Sequence, residues 1–521
     1  MMRAMGSRRL ACVLLPLLGA CSILYNPDNL PDRDAAVIDA PPPPPIDAPT
    51  DADPSQLTLT GFETSAGGAI PEGTGAGGGR PALVILTGSS LVGSAVVTAA
   101  FLDEPDAGAE GPTVDGFDAF TDSTGAAVAV RIPVLPDLAA GSQRMMRLTV
   151  TQGSASGSVD IPIDGLDELT ITGATSPMVD PTPDLYSRIE IAGNLHYTPG
   201  QADPVILRAT ADVVVTAVLD VDASGTTAGP HGCDGGLKNT AGTCSPGGAM
   251  PGAMTTLLTV GSGGGGGGFG AMGVTGTGQS GGVGGLPTGN DMLVPIRTAA
   301  GVAGNRGNGG GGGGTGTLLG SGGPGGGGGG TIVIDAGGDV TVSGAGALRS
   351  RGGAGAGNGG GGGGGSGGAI FVRAGGGVTA PGAWLSAPGG ARGGTNNPGG
   401  TGAVGRIRVD SSRGDNEAIA AMATTPAATR GPAWDDSAPV VTATSPLTVV
   451  LRGEAGRQHG VRLNDAALTD ASIGVSGTTS VQVPLTRGRN VLCATWSSNA
   501  ASTHLDRAEA RACIDIAYVG P

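Results

Sequence analysis

The sequence predicts an all-β chain: two β-sandwiches flanking a glycine-rich parallel β-solenoid with polyglycine loops. Three observations carry this. The first is a fixed period. Thr331-Ile332-Val333-Ile334-Asp335-Ala336, followed by Val340-Thr341-Val342, recurs 38 residues later as Ala369-Ile370-Phe371-Val372-Arg373-Ala374, followed by Val378-Thr379-Ala380. A third start, Arg406-Ile407-Arg408-Val409-Asp410, follows at an offset of 37. Constant offsets between alternating β-branched segments mark units that stack on one another. The second observation is composition. Glycine supplies 105 of 521 residues, about three times ordinary usage, and aromatics only 2%. Large aromatics carry much of an ordinary core's energy, so the interior here has to be thin, aliphatic and strand-built. The third is the run of short β-branched segments, punctuated by Gly, Asp, Ser and Pro, on either side of the repeats. That is the pattern of a sandwich.

In order, the chain opens on an export signal at 1–20. Arg3, Arg8 and Arg9 precede an apolar run from Leu10 to Leu18 that is too short for a stable membrane span. The run ends Leu18-Gly19-Ala20-Cys21, which resembles the bacterial lipobox. The resemblance implies cleavage before Cys21 and a lipoprotein carrying diacylglyceryl and palmitate on that residue. Ser22 rather than Asp follows, which in the same sorting pattern implies the outer membrane. The plainer alternative is an ordinary signal peptide that leaves Cys21 as a thiol. Loss of three arginines takes the formal charge from −15 to −18. Phosphate binding needs clustered Lys and Arg, so nucleic acid is not an expected partner. Residues 21–55 hold five consecutive prolines at 41–45 and the echo Ile38-Asp39-Ala40-Pro41, Ile46-Asp47-Ala48-Pro49. Such a segment buries too little to order itself and reads as a semi-rigid polyproline tether, at roughly 3.1 Å per residue.

Residues 56–174 read as the first sandwich, with strands expected at 57–60, 82–87, 95–101, 126–132, 144–151 and 157–163. The order Leu57-Thr58-Leu59-Thr60-Gly61-Phe62, then Ile132-Pro133, Gly141 and Leu148-Thr149-Val150, resembles IPT/TIG-type immunoglobulin-like domains. These are commonly spacers or adhesive modules.

Residues 185–411 are the repeat body. Arg188-Ile189-Glu190-Ile191 is an early start, and Val205-Ile206-Leu207-Arg208-Ala209 with Val213-Val214-Val215 aligns with the later copies at an offset of 127. A 21-residue unit, 331–351, is the size of one parallel coil. Stacking would bury Ile332, Ile334, Val340 and Val342 against Ile370, Val372, Val378 and Ala380. A long glycine insert at 225–330 and the shorter runs would be thrown out along one edge. Two readings of the runs stand side by side: flexible loops, since glycine loses the most entropy on ordering, or packed three-fold polyglycine-II helices bonded to their neighbours. The glycine texture is similar to that of PE-PGRS proteins, without their N-terminal helices, and implies no function here.

After a linker at 412–434, residues 435–521 read as the second sandwich, with strand segments at 447–451, 460–464, 481–485 and 488–492. The Leu463-Asn464 pair followed by Leu485-Thr486-Arg487-Gly488-Arg489-Asn490 resembles bacterial immunoglobulin-like domains appended to surface proteins and carbohydrate-active enzymes. Besides Cys12 and Cys21, four cysteines remain: Cys233, Cys244, Cys493 and Cys513. Four allow three pairings. The local pairs Cys233–Cys244 and Cys493–Cys513 are the simplest, and an oxidising exterior would keep them. A metal site is the alternative, but neither pair has CxxC spacing.

Chemistry is thin. The four histidines, His196, His231, His459 and His504, are scattered. Asp220-Val221-Asp222-Ala223-Ser224-Gly225 resembles the first half of a calcium loop, with Asp220, Asp222 and Ser224 as ligands, yet His231 stands at the acidic twelfth position. The plainer reading is two outward carboxylates alternating with Leu219 and Val221. Arg413-Gly414-Asp415 is an RGD tripeptide that reads as chance. A pectin-cleaving type of β-helix would want paired carboxylates and stacking aromatics, and Trp384 is the one tryptophan in the repeats. The expectation is a non-enzymatic protein needing no cofactor. It would be lipid-anchored at the cell outer membrane and surface-exposed, with a structural or adhesive role. Its partners would be the membrane, through the lipid, and extracellular polysaccharide or another surface protein. The alternative is a carbohydrate-binding or carbohydrate-cleaving β-helix with accessory immunoglobulin-like domains.

Overall fold

The computed structural model describes residues 57–520 apart from 66, 77–78, 90–95, 103–109, 114–117, 122–126, 133–140, 255–260, 298–303, 316–321, 358, 381–384, 414–423 and 497–509. The export signal, Cys21, the tether, Trp384, His504 and the Gly414-Asp415 half of the RGD tripeptide lie outside the described residues. The described chain is all-β, with no α-helix among the described residues.

Ten strands come first: β1 (Thr58–Thr64), β2 (Ile70–Pro71), β3 (Ala82–Ser89), β4 (Val96–Leu102), β5 (Glu110–Thr113), β6 (Asp118–Thr121), β7 (Ala127–Ile132), β8 (Gln143–Gln152), β9 (Ala155–Asp164) and β10 (Glu168–Ile171). Strands β1-β3-β7-β6 make one antiparallel sheet and β2-β9-β8-β4-β5 a second, in which only β2 runs parallel to its neighbour. Alternate residues explain why the sheets face each other. Ala82, Val84 and Leu86 of β3 meet Val97, Ala99 and Phe101 of β4, Met146, Leu148 and Val150 of β8, and Ile161 and Ile163 of β9 in one buried cluster. Side chains two apart share a face of a strand, so the period-2 pattern of the sequence becomes this core. Strand β10 belongs elsewhere: it pairs in parallel with the repeats, although the sequence boundary at 174 groups it with the sandwich.

The repeats follow as β11 (Leu185–Tyr186), β12 (Arg188–Ile191), β13 (Leu195–His196), β14 (Val205–Ala209), β15 (Val213–Val215), β16 (Val218–Asp220), β17 (Thr331–Ala336), β18 (Val340–Val342), β19 (Ala347–Arg349), β20 (Ala369–Thr379), β21 (Leu385–Ser386), β22 (Arg406–Arg413) and β23 (Thr429–Arg430). They form three parallel ladders. One runs β11-β14-β17-β20-β22-β23, a second β10-β12-β15-β18-β20, and a third β13-β16-β19-β21. Strand β20 is long enough to serve the first two. The register repeats the sequence offsets: Val205 pairs with Ile332, Ile332 with Ile370 and Ile370 with Ile407. In the third ladder Leu195, Leu219, Leu348 and Leu385 stand in one column. Each ladder points its aliphatic column inward, and together they fill a single core in which Ile189, Val213, Ile332, Val340 and Ile370 are fully buried. Full burial of each such side chain contributes about 1.5–3 kcal/mol.

The glycine runs are ordered. In 360–368 the amides of Gly361, Gly364 and Gly367 donate to the carbonyls of Asn397, Gly400 and Ala403. Those of Gly362, Gly365 and Gly368 donate to Ala356, Gly353 and Ser350, and those of Gly363 and Ser366 to Gly311 and Asn308. The partner changes at every residue and recurs at every third, as in a helix of three residues per turn. The carbonyls do the same. Gly360, Gly363 and Ser366 accept from Gly323, Gly326 and Gly329; Gly361 and Gly364 accept from Gly264 and Gly267; Gly362 and Gly365 accept from Gly393 and Gly390. The run therefore has six neighbours, donating to three and accepting from three. This is the packed polyglycine arrangement of the two that the composition allows. Most positions admit glycine alone, though Ser366 takes part: a Cβ on Gly363 would sit inside the contact distance of the Gly265 carbonyl oxygen. The array also clads the first ladder. Phe269, Leu293 and Ile296 of the insert cover Val333 and Phe371, the outward side chains of β17 and β20.

Nine strands close the chain: β24 (Ala433–Trp434), β25 (Val441–Thr442), β26 (Leu447–Arg452), β27 (Gln458–Leu463), β28 (Ala466–Ala467), β29 (Ala471–Ser472), β30 (Thr478–Val483), β31 (Gly488–Thr495) and β32 (Arg511–Tyr518). Sheets β24-β26-β30 and β25-β32-β31-β27-β28 enclose Trp434, Leu451, Val461, Val483, Leu492 and Ile516. This module also meets the first one. Leu83 and Ile85, on the reverse face of β3, pack against Val440, Val441 and Ala517. Arg80 donates to the Ala438 carbonyl at 2.8 Å, and Arg489 bridges Glu63 at 2.9 Å and Asp515 at 2.9 Å.

Candidate functional site

Parallel stacking turns single residues into columns, so polar chemistry on the repeats has to be read along the ladder. On the first ladder Arg208, Asp335, Arg373 and Asp410 occupy one register. Charge alternates along that column, which disfavours a shifted register because a slip would part each charge from its opposite neighbour. Where the first ladder turns into the second, the Asp212 carboxylate accepts from the Asp339 amide at 2.8 Å, and the Asp339 carboxylate from the Gly377 amide at 2.7 Å. These carboxylates satisfy corner amides.

The calcium candidates sit at and just after the third ladder. Asp220 is paired in register with His196, and its carboxylate meets His196 Nδ1 at 2.5 Å. Burial pushes the Asp220 carboxyl up, Asp222 adds to this, and the His196 bond opposes it. Asp222 clamps Arg351 instead, accepting from its Nε at 2.7 Å and from its backbone amide at 2.6 Å. Ser224 exchanges backbone hydrogen bonds with Thr227. The three residues thus face three different partners, and Leu219 and Val221 between them point into the core. Among the described residues no group of three or more His, Cys, Asp or Glu side chains is placed to hold a metal ion. His231 is buried and meets Thr331 Oγ1 at 3.1 Å, and His459 is buried in the last module against the Thr495 carbonyl. The sulfurs of Cys233 and Cys244 stand at bonding distance, as do those of Cys493 and Cys513. The latter two cysteines face each other across β31 and β32.

The most ligand-like feature is at the first coil. A cavity of about 220 Å³ opens under 177–184, floored by Leu169, Ile171, Leu195 and Leu207 and walled by Tyr186 and Tyr197. Asp180 and Asp184 stand at it too. Burial raises the Tyr197 phenol to about 12, with Tyr186 and Asp180 adding to the effect. Burial also raises Tyr186, followed by Asp184, Asp180 and Asp167. An apolar floor, two aromatic walls and two carboxylates form a concave surface with a few converging polar groups, the usual form of a small-molecule site. The sequence reading does not single these residues out. The available signal is that two of only four tyrosines fall within 186–197, directly after Asp180 and Asp184. No protein-family model, curated protein or solved structure matches the chain.

Proposed function

We propose that this is a non-enzymatic, lipid-anchored protein of the cell outer membrane, exposed at the surface, with a structural or adhesive role. Its folded part is read as two immunoglobulin-like β-sandwiches joined to a three-faced parallel β-solenoid. The observation that supports this best is the six-neighbour glycine array. Glycine makes up about a fifth of the chain, and where it is packed backbone amides bond to backbone carbonyls on every side. The product is a stiff body whose chemistry is almost entirely that of the peptide group, suited to spacing and presentation. The lipobox-like Cys21 and the proline tether supply the attachment, and the partners are the membrane and a surface protein or extracellular polysaccharide.

Labelling of cells with a palmitate analogue, followed by fractionation, tests it. The wild type should carry label, sediment with outer membranes and be cut by protease added to intact cells. Cys21→Ala should lose the label and leave the membrane fraction. Label retained by Cys21→Ala, or wild type found in the cytoplasm, would reject the reading.

The Tyr186–Tyr197 cavity favours a second reading, carbohydrate binding, since tyrosine faces stack on sugar rings while carboxylates accept from hydroxyls. Glycan binding weakened by Tyr197→Ala would support it. Glycan binding indifferent to that change would remove it.

A further inference from the structure

The first coil departs from the columns that the later coils keep. Before Leu195, Leu219, Leu348 and Leu385 of the third ladder stands Thr175, bridged to Leu195. Before Ala209, Ala336 and Ala374 of the first ladder stands Tyr186. A short polar side chain takes the place of leucine and a phenol the place of alanine, and both line the cavity of about 220 Å³. That is less than the several hundred Å³ of a drug-sized pocket and suits a single sugar ring. Its charge is one-sided. Asp180 and Asp184 line it, while no Lys, Arg or His among the described residues does. Arg297 reaches the same segment, but it donates to the Pro181 carbonyl at 2.7 Å and faces Asp203 at 4.0 Å. The Asp180 carboxylate accepts from the Thr182 amide at 2.8 Å and from the Thr182 hydroxyl at 3.2 Å. Burial comes first in raising the two phenols, but Asp180 acts on both and Asp184 on Tyr186, so the negative field reaches the aromatic walls.

We propose that the sugar this cavity takes is an amino sugar, a hexosamine ring with a free, protonated amine; this narrows the carbohydrate reading of the cavity and rests on it. The apolar face of the ring would lie on the tyrosine and leucine surface, and the ammonium would donate to Asp180 and Asp184. A hydrogen bond between ions is roughly twice as strong as one between neutral groups, and an ammonium is also drawn to the faces of tyrosine rings. A neutral sugar forgoes both gains. A sugar acid meets the two carboxylates as like charge, which is unfavourable.

The test uses the purified full chain. It is titrated calorimetrically with glucosamine hydrochloride, N-acetylglucosamine, glucose and sodium glucuronate at matched ionic strength. N-acetylation removes the charge and keeps the ring. Glucosamine should bind about three- to tenfold tighter than glucose or N-acetylglucosamine, the carboxylates being solvent-exposed, and glucuronate should bind weakest. In Asp184→Asn the ratio of the glucosamine to the glucose affinity should fall toward one. Asp180→Asn should act in the same direction, and if it disturbs the segment that Asp180 holds through Thr182, Asp184→Asn alone decides. Glucose bound as tightly as glucosamine overturns the amino-sugar assignment and leaves the carbohydrate reading standing. Binding of none of the sugars removes both. A preference that survives Asp184→Asn also overturns the assignment. So does tetramethylammonium chloride bound as tightly as glucosamine, since the site would then read charge without a ring.

Discussion

Gly363 and Gly68 show how differently one residue type is used. A Cβ on Gly363 would collide with the backbone carbonyl of Gly265, which no rotamer change can move aside. Gly68 has nothing within 4 Å of the same position and a φ outside the left-handed region. Gly363→Ala is therefore expected to cost about 1–3 kcal/mol by overpacking, and Gly68→Ala to be neutral or to stabilise by up to about 1 kcal/mol through the unfolded chain. Chemical denaturation of both variants checks this, and equal effects would refute it. Arg408 shows the cost of buried charge. It is 0% exposed, bound to Asp410, and lies over Phe371 and Trp496. Asp410→Asn leaves that guanidinium without its counter-charge and should cost about 3–5 kcal/mol, read from the same denaturation curves. His459 gives a pH dependence. Burial, ahead of the Thr495 hydrogen bond that opposes it, lowers its pKa. Above about pH 6.5 both folded and unfolded imidazoles are neutral and stability is full. As pH falls below that, the unfolded chain takes up a proton that the folded one resists, so stability declines by up to about 1.4 kcal/mol per unit. The unfolding temperature of His459→Gln should fall less steeply with acid than that of the wild type.

Among elements, the glycine runs make the sharpest prediction. Amides at 361–368 are donors to named carbonyls, so their hydrogen exchange should be as slow as that of Ile370 and Val372 in β20. Exchange at free-chain rates would mean the array does not persist in solution. Elements were legible in the sequence where periodicity expressed burial. The offsets of 38, 37 and 127 residues are the register of the ladders, because in-register parallel stacking places equivalent residues in one column. Strands β3, β8 and β9 were legible for the same reason. The order of the glycine runs was not, since a run without side chains carries no pattern of inward and outward faces. Nor was the meeting of the two antiparallel modules. Leu83 and Ile85 read as ordinary strand residues, and only the presence of Val441 and Ala517 opposite shows that both faces of β3 are covered. The tyrosine cavity escaped because its lining, all within 169–207, comes together only when successive strands stack.

At the scale of the molecule, the insert is what keeps the first ladder dry. Val333 and Phe371 would face water without Phe269, Leu293 and Ile296, and Asp291 of the same segment reaches Arg457 in the last module at 3.1 Å. Phe269→Ala should therefore destabilise the repeats by about 3–5 kcal/mol and raise binding of a hydrophobic dye. A loss confined to the insert, with the ladder core still protected from exchange, would show the cladding to be dispensable. The array also has a consequence for how such a gene can change. Every glycine codon begins with GG, and each single-base substitution that puts another residue there supplies at least a Cβ. At packed positions such as Gly363 point mutation therefore has no conservative step. Changes of length are different. A gain or loss of nine nucleotides adds or removes one three-residue turn and leaves every donor facing its former neighbour, whereas three or six nucleotides rotate the remainder of the run onto the wrong partners. The stretches that read as simplest in composition are thus held to a reading frame of their own, nested inside the one that encodes them.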